Sequence, residues 1–434
     1  MILCIRLTLA VHQAAASRRV ATQCQEAAAE AETIRKKLIG SKQIIHMKQE
    51  YSDYLDVKVR DAQSAWNKLD EVDVKILQGL SVLGPRNLKM IANDLKMPST
   101  TVRYRVKRML EDSILFFHLN PYHTNMGLKK AVVFVEASQG YEDTLLDCLR
   151  VNDFWLLLCR VYGPFEGCGG IWTIPKDNAS DFESFLQSLK NLGVAESVET
   201  NWSTCFEGIP VYNRWFDVEK GFWVFNWDEW IREVETIEGE LPYTLVEPDD
   251  WPIQVDYEDV LIIKELEKDG RMTLSDMSKK LDMPLEKLKY HFREHVSKRG
   301  LIEGYQIEIY RFPSLISEYL FFKFEFDSHE KMEKFALSLL DKPFPIFMGK
   351  VLGNDSLIVH VYLPRQEFRK FISSLSKLIK KGLLKRYHYI FEDMFQVWRQ
   401  TIPYEYFRND KWDYDWEKHL AELNKIVDGK KNHQ

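Results

Sequence analysis

The feature that most constrains this chain is an internal repeat, in which corresponding landmarks lie at a nearly constant offset along the sequence. Pro284 follows Pro98 at an offset of 186, Gly353 follows Gly163 at 190, Ile402 follows Ile209 at 193, and Trp416 follows Trp227 at 189. A nearly constant offset across unrelated landmarks indicates that the chain repeats one structural plan. We therefore predict a tandem duplication, in which the acidic, proline-containing segment 233–251 connects the two copies.

A basic helix in the first copy indicates what the repeated plan begins with. Val102, Val106, Met109 and Leu110 form one apolar stripe, and residues 98–110 contain four cations and no carboxylate. Ser99 is placed as an N-cap, and Met97-Pro98 predicts a sharp connection to a preceding short helix. A short helix, a tight turn and a basic helix are typical of a helix-turn-helix, whose second helix lies in the DNA major groove.

DNA contact is therefore predicted for one face of this helix and for the equivalent face in the second copy. The predicted DNA-binding residues are Ser99, Thr100, Thr101, Arg103, Tyr104, Lys107 and Arg108, followed in the second copy by Lys287, Lys289, Tyr290 and Arg293. Glu286 and Glu294 replace Thr100 and Arg108, so we expect the second helix to bind DNA less well. The alternative interpretation is a solvated basic face on an ordinary helical domain.

The order of predicted elements gives the fold class. After each three-helix unit and a β segment, which we interpret as the wing, the pattern is strand-helix-strand-strand-helix-strand, as in ferredoxin-like domains. The sequence thus predicts an α+β protein with two tandem copies of a winged helix-turn-helix plus a ferredoxin-like (βαββαβ) domain. The predicted domains are 1–68, an N-terminal extension that is helical or disordered; 69–127, winged helix-turn-helix 1; 128–206, ferredoxin-like effector domain 1; 207–254, a Trp-rich acidic linker; 255–316, winged helix-turn-helix 2; 317–396, ferredoxin-like effector domain 2; and 397–434, an aromatic C-terminal tail.

Composition limits the class of protein. The 434 residues carry a net charge of -6, but their cations are concentrated locally, and local patches decide phosphate binding. The six cysteines contain no C-x-x-C pair, which argues against a zinc ribbon and a disulfide framework and favours the cytoplasm. No apolar run approaches the roughly 18 residues that a membrane span needs.

Each copy resembles the Lrp/AsnC (leucine-responsive, or feast-famine) regulators, over residues 69–206 and 255–396. The similar segments in the first copy are Leu69-Asp-x-x-Asp73-x-x-Ile-Leu77, residues 98–108, Asn120-Pro121 and Gly127-Leu128, and in the second copy Asp269-Gly-Arg271 and residues 299–305. The resemblance implies a winged helix-turn-helix followed by a ferredoxin-like effector domain. Because members of that family usually carry one copy and dimerise, it also implies a pseudo-dimer within one chain.

The resemblance also implies an effector site. The family places a Gly-x-x-Asp turn near its amino-acid site, and the corresponding turns here contain Gly163 with Glu166 and Gly353 with Asp355. The first turn has Glu instead of Asp, and the second is one residue shorter. A small-molecule effector, an amino acid or another metabolite, is the partner expected at these four residues.

Catalysis is considered because a related group with this architecture decarboxylates sirohaem. Neither effector-domain hairpin carries the His/Arg-containing signature of that group, and the eleven histidines are dispersed along the chain. The segment 163–170 is rich in glycine but opens no helix, so we interpret it as a hairpin turn rather than a phosphate cradle. We expect no catalytic residues, no cofactor and no metal site.

The function predicted from the sequence is a cytoplasmic, prokaryotic transcriptional regulator that binds specific double-stranded DNA and responds to a small metabolite. The alternatives are a sirohaem-decarboxylase-like enzyme and a protein-binding scaffold without DNA binding. No membrane partner is expected. The sequence leaves open whether copies of the chain associate into a homo-oligomer, and which effector and operator it recognises.

Overall fold

The computed structural model describes residues 69–112, 115–219, 222–309 and 317–431. The predicted N-terminal extension, residues 1–68, lies outside the described residues. Among the helices of the described ranges, none has the length and apolar character needed to span a bilayer. Residues 69–254 are called the first half below, and residues 255–431 the second half.

The first half opens with the three predicted helices. They are α1 (Glu71–Leu83), α2 (Leu88–Asp94) and α3 (Ser99–Glu111). Helix α1 begins with a capping box in which Asp70 and Asp73 each accept the other's backbone N–H, and it ends at Gly84, whose φ is +78°. The predicted N-cap of α3 is wrong: Pro98 holds that position without a side-chain cap, and Ser99 is the first helical residue.

A βαββαβ unit follows the segment that we predicted as a wing, β1 (Leu115–Pro121). Its elements are β2 (Leu128–Ala137), α4 (Leu145–Arg150), β3 (Trp155–Tyr162), β4 (Gly167–Pro175), α5 (Ala179–Asn191) and β5 (Ala195–Ser203). They form an antiparallel sheet in the order β5-β2-β4-β3. The predicted glycine-rich turn is shorter than expected because Gly167 lies within β4, where an added Cβ would be 1.9 Å from the carbonyl oxygen of Val135.

The connection to the second half is folded. It contains β6 (Glu207–Gly208), a short hairpin of β7 (Phe216–Asp217) and β8 (Phe222–Trp223), and α6 (Trp227–Thr236). Asn226 caps α6 by accepting the backbone N–H of Glu229. The segment that the sequence marks as an acidic linker therefore adds a helix to the fold.

The second half begins with α7 (Tyr257–Lys268), α8 (Leu274–Lys280) and α9 (Leu285–Tyr290). After α9 the chain continues as a π-helix, His291–Ser297. Strand β9 (Ile302–Ile309) then pairs antiparallel with β1 from the first half. Each β segment that we interpreted as a wing therefore pairs with its counterpart in the other half of the chain.

The second βαββαβ unit repeats the order of the first. Its elements are β10 (Ser317–Glu325), α10 (His329–Leu339), β11 (Pro345–Lys350), β12 (Ser356–Pro364), α11 (Arg365–Lys380) and β13 (Arg386–Arg399). A hairpin of β14 (Phe407–Arg408) and β15 (Lys411–Trp412) and the helix α12 (Trp416–Lys431) end the described chain. The fold is thus α+β, with the same order of elements in both halves.

One nine-stranded sheet joins the two halves, in the order β5-β2-β4-β3-β13-β10-β12-β11-β6. Strands near the two ends of the sheet also meet, because Ser203, the last residue of β5, bridges Val351, which follows β11, and Leu352 donates its N–H to the carbonyl of Trp202 at 2.8 Å. Apolar side chains from both halves fill the interior, with Phe321 and Phe347 among them.

Each tail crosses to the other half. Helix α6, which follows the first βαββαβ unit, packs on α10 and α11 of the second, and its Trp230 is buried there. Helix α12, which follows the second unit, packs on α4 and α5 of the first. The apolar surface buried between the two halves therefore forms part of the hydrophobic core of each half.

Candidate nucleic-acid interface

The solvent-facing side of α3 presents the predicted DNA-contacting side chains. Thr100, Arg103, Tyr104 and Lys107 are exposed, with 67% of the Tyr104 surface accessible. Arg103 forms no ion pair within the described ranges, and Lys107 is 3.5 Å from Glu111 in a solvent-exposed pair that is worth little energy. Val102, Val106 and Met109 are buried on the opposite side, as the periodicity predicts. This face offers two cations, a hydroxyl and a phenol to a ligand.

Two arginines of the same helix are held by the protein itself. Arg105 Nη1 lies 2.8 Å from an oxygen of both Asp70 and Asp73, and Arg108 Nη2 lies 2.5 Å from Asp73 Oδ2. Burial raises the pKa of Asp70, but the hydrogen bonds from Arg105 and from the backbone outweigh it and hold that pKa below its ordinary value. Because Asp73 is fully buried, Arg108 neutralises an internal charge and fixes α3 against α1.

Ser99 and Thr101 are only half exposed, at the start of α3. With Arg108 they make up the three residues of the predicted first-half set that do not project freely toward solvent. The remaining four form the continuous exposed face.

A groove of about 550 Å³ opens beside this face and is lined by cations from separate elements. Its basic lining residues are Arg86, Lys89, Arg103, Lys107 and Arg271. Arg86 crosses between the halves, donating hydrogen bonds to the carbonyls of Gly270 at 3.2 Å and Met272 at 2.6 Å. The sequence analysis did not identify Arg86, Lys89 and Arg271, because they lie in two segments between helices and in a short helix. The available signal was that basic residues occur in or beside the turns between helices.

The second recognition helix presents fewer free cations. Lys287 pairs with Glu258, and Lys289 pairs with Glu286 at 2.7 Å. Tyr290 and Arg293 are exposed. Because carboxylates already neutralise its lysines, this face offers less positive charge to a phosphate than the first one does.

The two predicted effector turns differ in what they contact. Gly163, with φ +138°, and Glu166 are exposed between β3 and β4. At the other turn, the backbone N–H of Gly353 lies 3.1 Å from both carboxylate oxygens of Glu247, which also binds Lys350. The second turn therefore already holds a carboxylate supplied by the connecting segment.

Asp355, the last of the four predicted effector residues, is half-buried and lies 3.2 Å from His329 Nδ1. Burial raises the pKa of Glu247, but the Lys350 and Gly353 hydrogen bonds outweigh it and the net pKa is lowered. The turn is thus an anion-binding arrangement of a backbone N–H and a lysine.

Comparison with known proteins gives partial similarities. No protein-family model matches the sequence. An uncharacterised HTH-type transcriptional regulator from Pyrococcus abyssi (strain GE5 / Orsay) is 34% identical over 61 residues, which are 14% of this chain and 41% of that protein. The chain therefore matches about two fifths of the length of this curated relative.

Among solved structures, the sirohaem decarboxylase NirDL aligns with 83% of this chain and 100% of its own, at 9% identity and a TM-score of 0.44. AsnC from E. coli aligns with 31% of this chain and 91% of its own, at 14% identity and a TM-score of 0.25. The sequence similarity to an HTH-type regulator covers 61 residues of this chain.

Proposed function

We propose that this chain is a transcriptional regulator of the Lrp/AsnC type that binds double-stranded DNA through α3. The observation that carries the proposal is the exposed face of Thr100, Arg103, Tyr104 and Lys107, which opens onto the cation-lined groove. The partial similarity to an HTH-type regulator supports the same function.

The chemistry of this face suits a duplex. Lysine and arginine side chains along the groove neutralise backbone phosphates, which supplies most of the affinity without sequence preference. Arg103 is the base-reading group we favour, since a guanidinium donates two parallel hydrogen bonds to guanine O6 and N7. Tyr104 lies beside it on the same exposed face and contributes to the same contact.

We further propose that the chain arose by tandem duplication and acts as a pseudo-dimer. The repeated order of elements and the reciprocal crossing of α6 and α12 support this interpretation. Two recognition helices set about 34–36 Å apart would contact successive turns of one DNA groove. Because the second helix carries neutralised lysines, the operator would be an imperfect palindrome with one strong half-site.

The effector we propose is a small carboxylate-containing metabolite, in keeping with the amino-acid class predicted from the sequence. The Gly353 turn supports this chemistry, because its backbone N–H already donates to a carboxylate, that of Glu247. The turn at Gly163 and Glu166 is exposed and takes its ligand from solvent in this proposal. A regulator of chromosomal genes in a prokaryote would act in the cytoplasm.

Catalysis is not part of the proposal. The imidazole of His360 pairs through Nε2 with Glu392 at 2.9 Å inside the sheet, where the rings of Tyr319 and Phe321 stack against it. The phenyl ring of Phe347 occupies a further side. Side chains of the protein fill the surroundings of this histidine, which supports a packing role.

The test is salt-dependent binding of the full chain to genomic DNA fragments. Removing Arg103 and Lys107 together (Arg103→Ala with Lys107→Ala) should weaken binding to all fragments and lower the slope of log K against log salt by about 0.9 through loss of the Lys107 phosphate contact. Loss of the base-reading Arg103 should also reduce the preference for one sequence over another. The matched control, Lys287→Ala with Lys289→Ala, removes the same charge from already neutralised lysines and should change the slope less.

Equal losses from the two double variants would contradict the asymmetry. Unchanged binding in the Arg103 and Lys107 variant would remove α3 from the interface. A wild-type chain that binds no fragment at low salt would instead be a scaffold, and turnover of added sirohaem would identify an enzyme.

A further inference from the structure

Four metal-ligating side chains meet beneath the second recognition helix. They are Asp256 and Asp259 at the start of α7, and His291 and His295 in the π-helix. Their ligating atoms all lie within 4.8 Å of one another. Asp259 is fully buried, the side chains of the two histidines are about one-tenth exposed, and that of Asp256 is 30% exposed. The cluster is enclosed except at Asp256, which leaves one side open to solvent.

The same place in the first half is filled differently. Asp70 and Asp73 correspond to Asp256 and Asp259 in the repeat, and both pairs form a capping box. In the first half Arg105 and Arg108 neutralise these carboxylates. In the second half imidazoles point their Nδ1 atoms at the carboxylates instead, which replaces permanent cations with groups able to bind a metal ion.

The π-helix is what places both imidazoles there. His291 corresponds to Arg105 at a repeat offset of 186, whereas His295 corresponds to Arg108 at an offset of 187, so one extra residue has entered the helix between them. Val296, which is buried like Met109, shows the same shifted register. This extra residue gives the histidines an i, i+4 spacing, which sets both on one face of the helix.

The distances suit a tetrahedral ion. Zinc at about 2.0–2.1 Å from each ligand requires ligand atoms about 3.3 Å apart. His291 Nδ1 is 2.9 Å from Asp259 Oδ1, and His295 Nδ1 is 3.2 Å from both Asp259 Oδ1 and Asp256 Oδ2. Neither of these carboxylate oxygens accepts the capping-box hydrogen bonds, which use Asp256 Oδ1 and Asp259 Oδ2. Each ligand therefore has a donor atom to offer without breaking the helix cap.

Electrostatics also favour a cation. Two carboxylates bring two negative charges, of which the helix N-terminus offsets about half of one. Arg299 Nη1 lies 3.8 Å from Asp259 Oδ2, and its guanidinium is also engaged by the carbonyl of Gln254. The ring of Tyr290 packs on both imidazoles, with centroid separations of 5.7 and 5.2 Å. Neutral histidines would leave most of the carboxylate charge for a divalent ion to balance.

We propose that Asp256, Asp259, His291 and His295 form a structural Zn²⁺ site that clamps the second recognition helix to α7. The ion is a borderline-soft divalent cation for which two imidazole nitrogens and two carboxylate oxygens form a complete tetrahedral set. The ion would be held by neutral imidazoles and ionised carboxylates, the forms in which these side chains coordinate a metal. Removal of the ion frees the π-helix, and with it the position of Tyr290 and Arg293.

The test uses the full chain stripped with a chelator and titrated with ZnCl₂ alone, without DNA. We expect one Zn²⁺ per chain by calorimetry, a rise in melting temperature, and tetrahedral visible absorption when Co²⁺ replaces Zn²⁺. The matched variant His291→Arg with His295→Arg supplies guanidinium groups of the kind used in the first half. It should fold without metal and show none of the three signals.

A second variant covers the case in which the arginines do not fit. Asparagine also caps helices, so Asp256→Asn keeps the fold while removing one charged ligand, and Zn²⁺ affinity should fall more than 100-fold. A wild-type chain that binds no Zn²⁺, or variants that bind it as tightly as wild type does, would overturn the proposal. Because no readout depends on DNA, failure here is distinct from failure of the proposed regulator function.

Discussion

The two recognition helices each pack on a similar pair of aspartates, but different side chains balance the charge of the two pairs. In each half the two aspartates lie at the start of the first helix, and one of them is fully buried. In the first half, arginines that keep their charge at all relevant pH values compensate Asp73. In the second half, histidines occupy the equivalent positions beside Asp259.

The two recognition helices therefore differ in whether the contacts that hold them in place depend on solution conditions. A guanidinium neutralises its aspartate without a metal ion, so the position of α3 does not depend on one. An imidazole can instead share a bound cation with its aspartate. We infer that the first helix is held by fixed ion pairs, whereas the position of the second depends on whether the proposed metal ion is bound.

The largest expected effect tests the fixed ion pairs. Replacing Arg105 and Arg108 together with alanine should cost about 3–5 kcal/mol of unfolding free energy, because Asp73 would remain buried without a partner. Urea unfolding followed by circular dichroism measures this change. The control is Arg103→Ala with Lys107→Ala, which removes the same charge from the exposed face of α3 and should change stability by less than about 1 kcal/mol. Similar costs for the two variants would show that the buried ion pairs do not hold this helix.

A smaller effect compares the two crossing tails. Trp230 in α6 is buried and donates its indole N–H to Ser338 Oγ at 3.0 Å, and His419 in α12 takes the corresponding place in the repeat and is equally buried. Trp230→His should cost about 2 kcal/mol through lost apolar packing, measured as the loss of unfolding free energy at pH 8.

The same variant should also become more sensitive to acid. Burial holds the pKa of His419 below its ordinary value of 6.5, so its contribution to stability is present above pH 6.5 and is lost as the pH falls through the folded-state pKa. Trp230→His adds a second group of this kind, and its melting temperature should fall more between pH 8 and pH 5.5 than that of wild type. Trp230→Phe, which shortens the side chain without a titrating group, should lower stability equally at both pH values.

The smallest effect concerns the hydrogen bond between the first helix of each half, α1 or α7, and the segment that follows a βαββαβ unit. Glu267 Oε2 accepts the backbone N–H of Ile402 at 2.9 Å, and burial raises its pKa to about 8. A raised carboxyl pKa contributes stability below its ordinary value of 4.5 that is lost as the pH rises through about 8. Glu267→Gln keeps the acceptor and removes this loss, so the variant should be more stable than wild type at pH 9.

The first half provides the control for that prediction. Ser81, which corresponds to Glu267 in the repeat, accepts the backbone N–H of Val211 at 3.4 Å through a hydroxyl that does not titrate in this range. Ser81→Ala should therefore leave the difference in melting temperature between pH 6 and pH 9 unchanged. A Glu267→Gln variant with the wild-type pH profile would mean that this carboxyl is solvated in solution.

Local patterns made much of the architecture predictable. The spacing of Val102, Val106 and Met109 identified α3 because a helix buries one residue per turn, whatever it packs against. The buried residues of α5, among them Phe182 and Phe185, follow the same period. The order of elements in each βαββαβ unit could be predicted because each element carries its own period.

The register of residues within the second recognition helix was harder to predict from the sequence. The repeat offset paired Glu294 with Arg108, but the π-helix adds one residue and places His295 where Arg108 lies. A backbone that widens by one residue keeps the amphipathic pattern nearly intact, so periodicity alone does not reveal it. One comparison could have found the histidine cluster. Asp70 and Asp73 correspond to Asp256 and Asp259, and the signal lies in comparing the partners of the two pairs.

The sequence by itself determined the repeated plan, the α+β class and the positive charge of the first recognition helix, since these follow from local periodicity, element order and charge. Only the tertiary structure decided that β1 pairs with β9, that Arg108 turns inward to Asp73, and that Arg86 and Arg271 line one groove. The physical reason is distance along the chain. Contacts between residues far apart in the sequence depend on how whole units pack, and no local pattern encodes which partner a buried charge or an unpaired strand edge will meet.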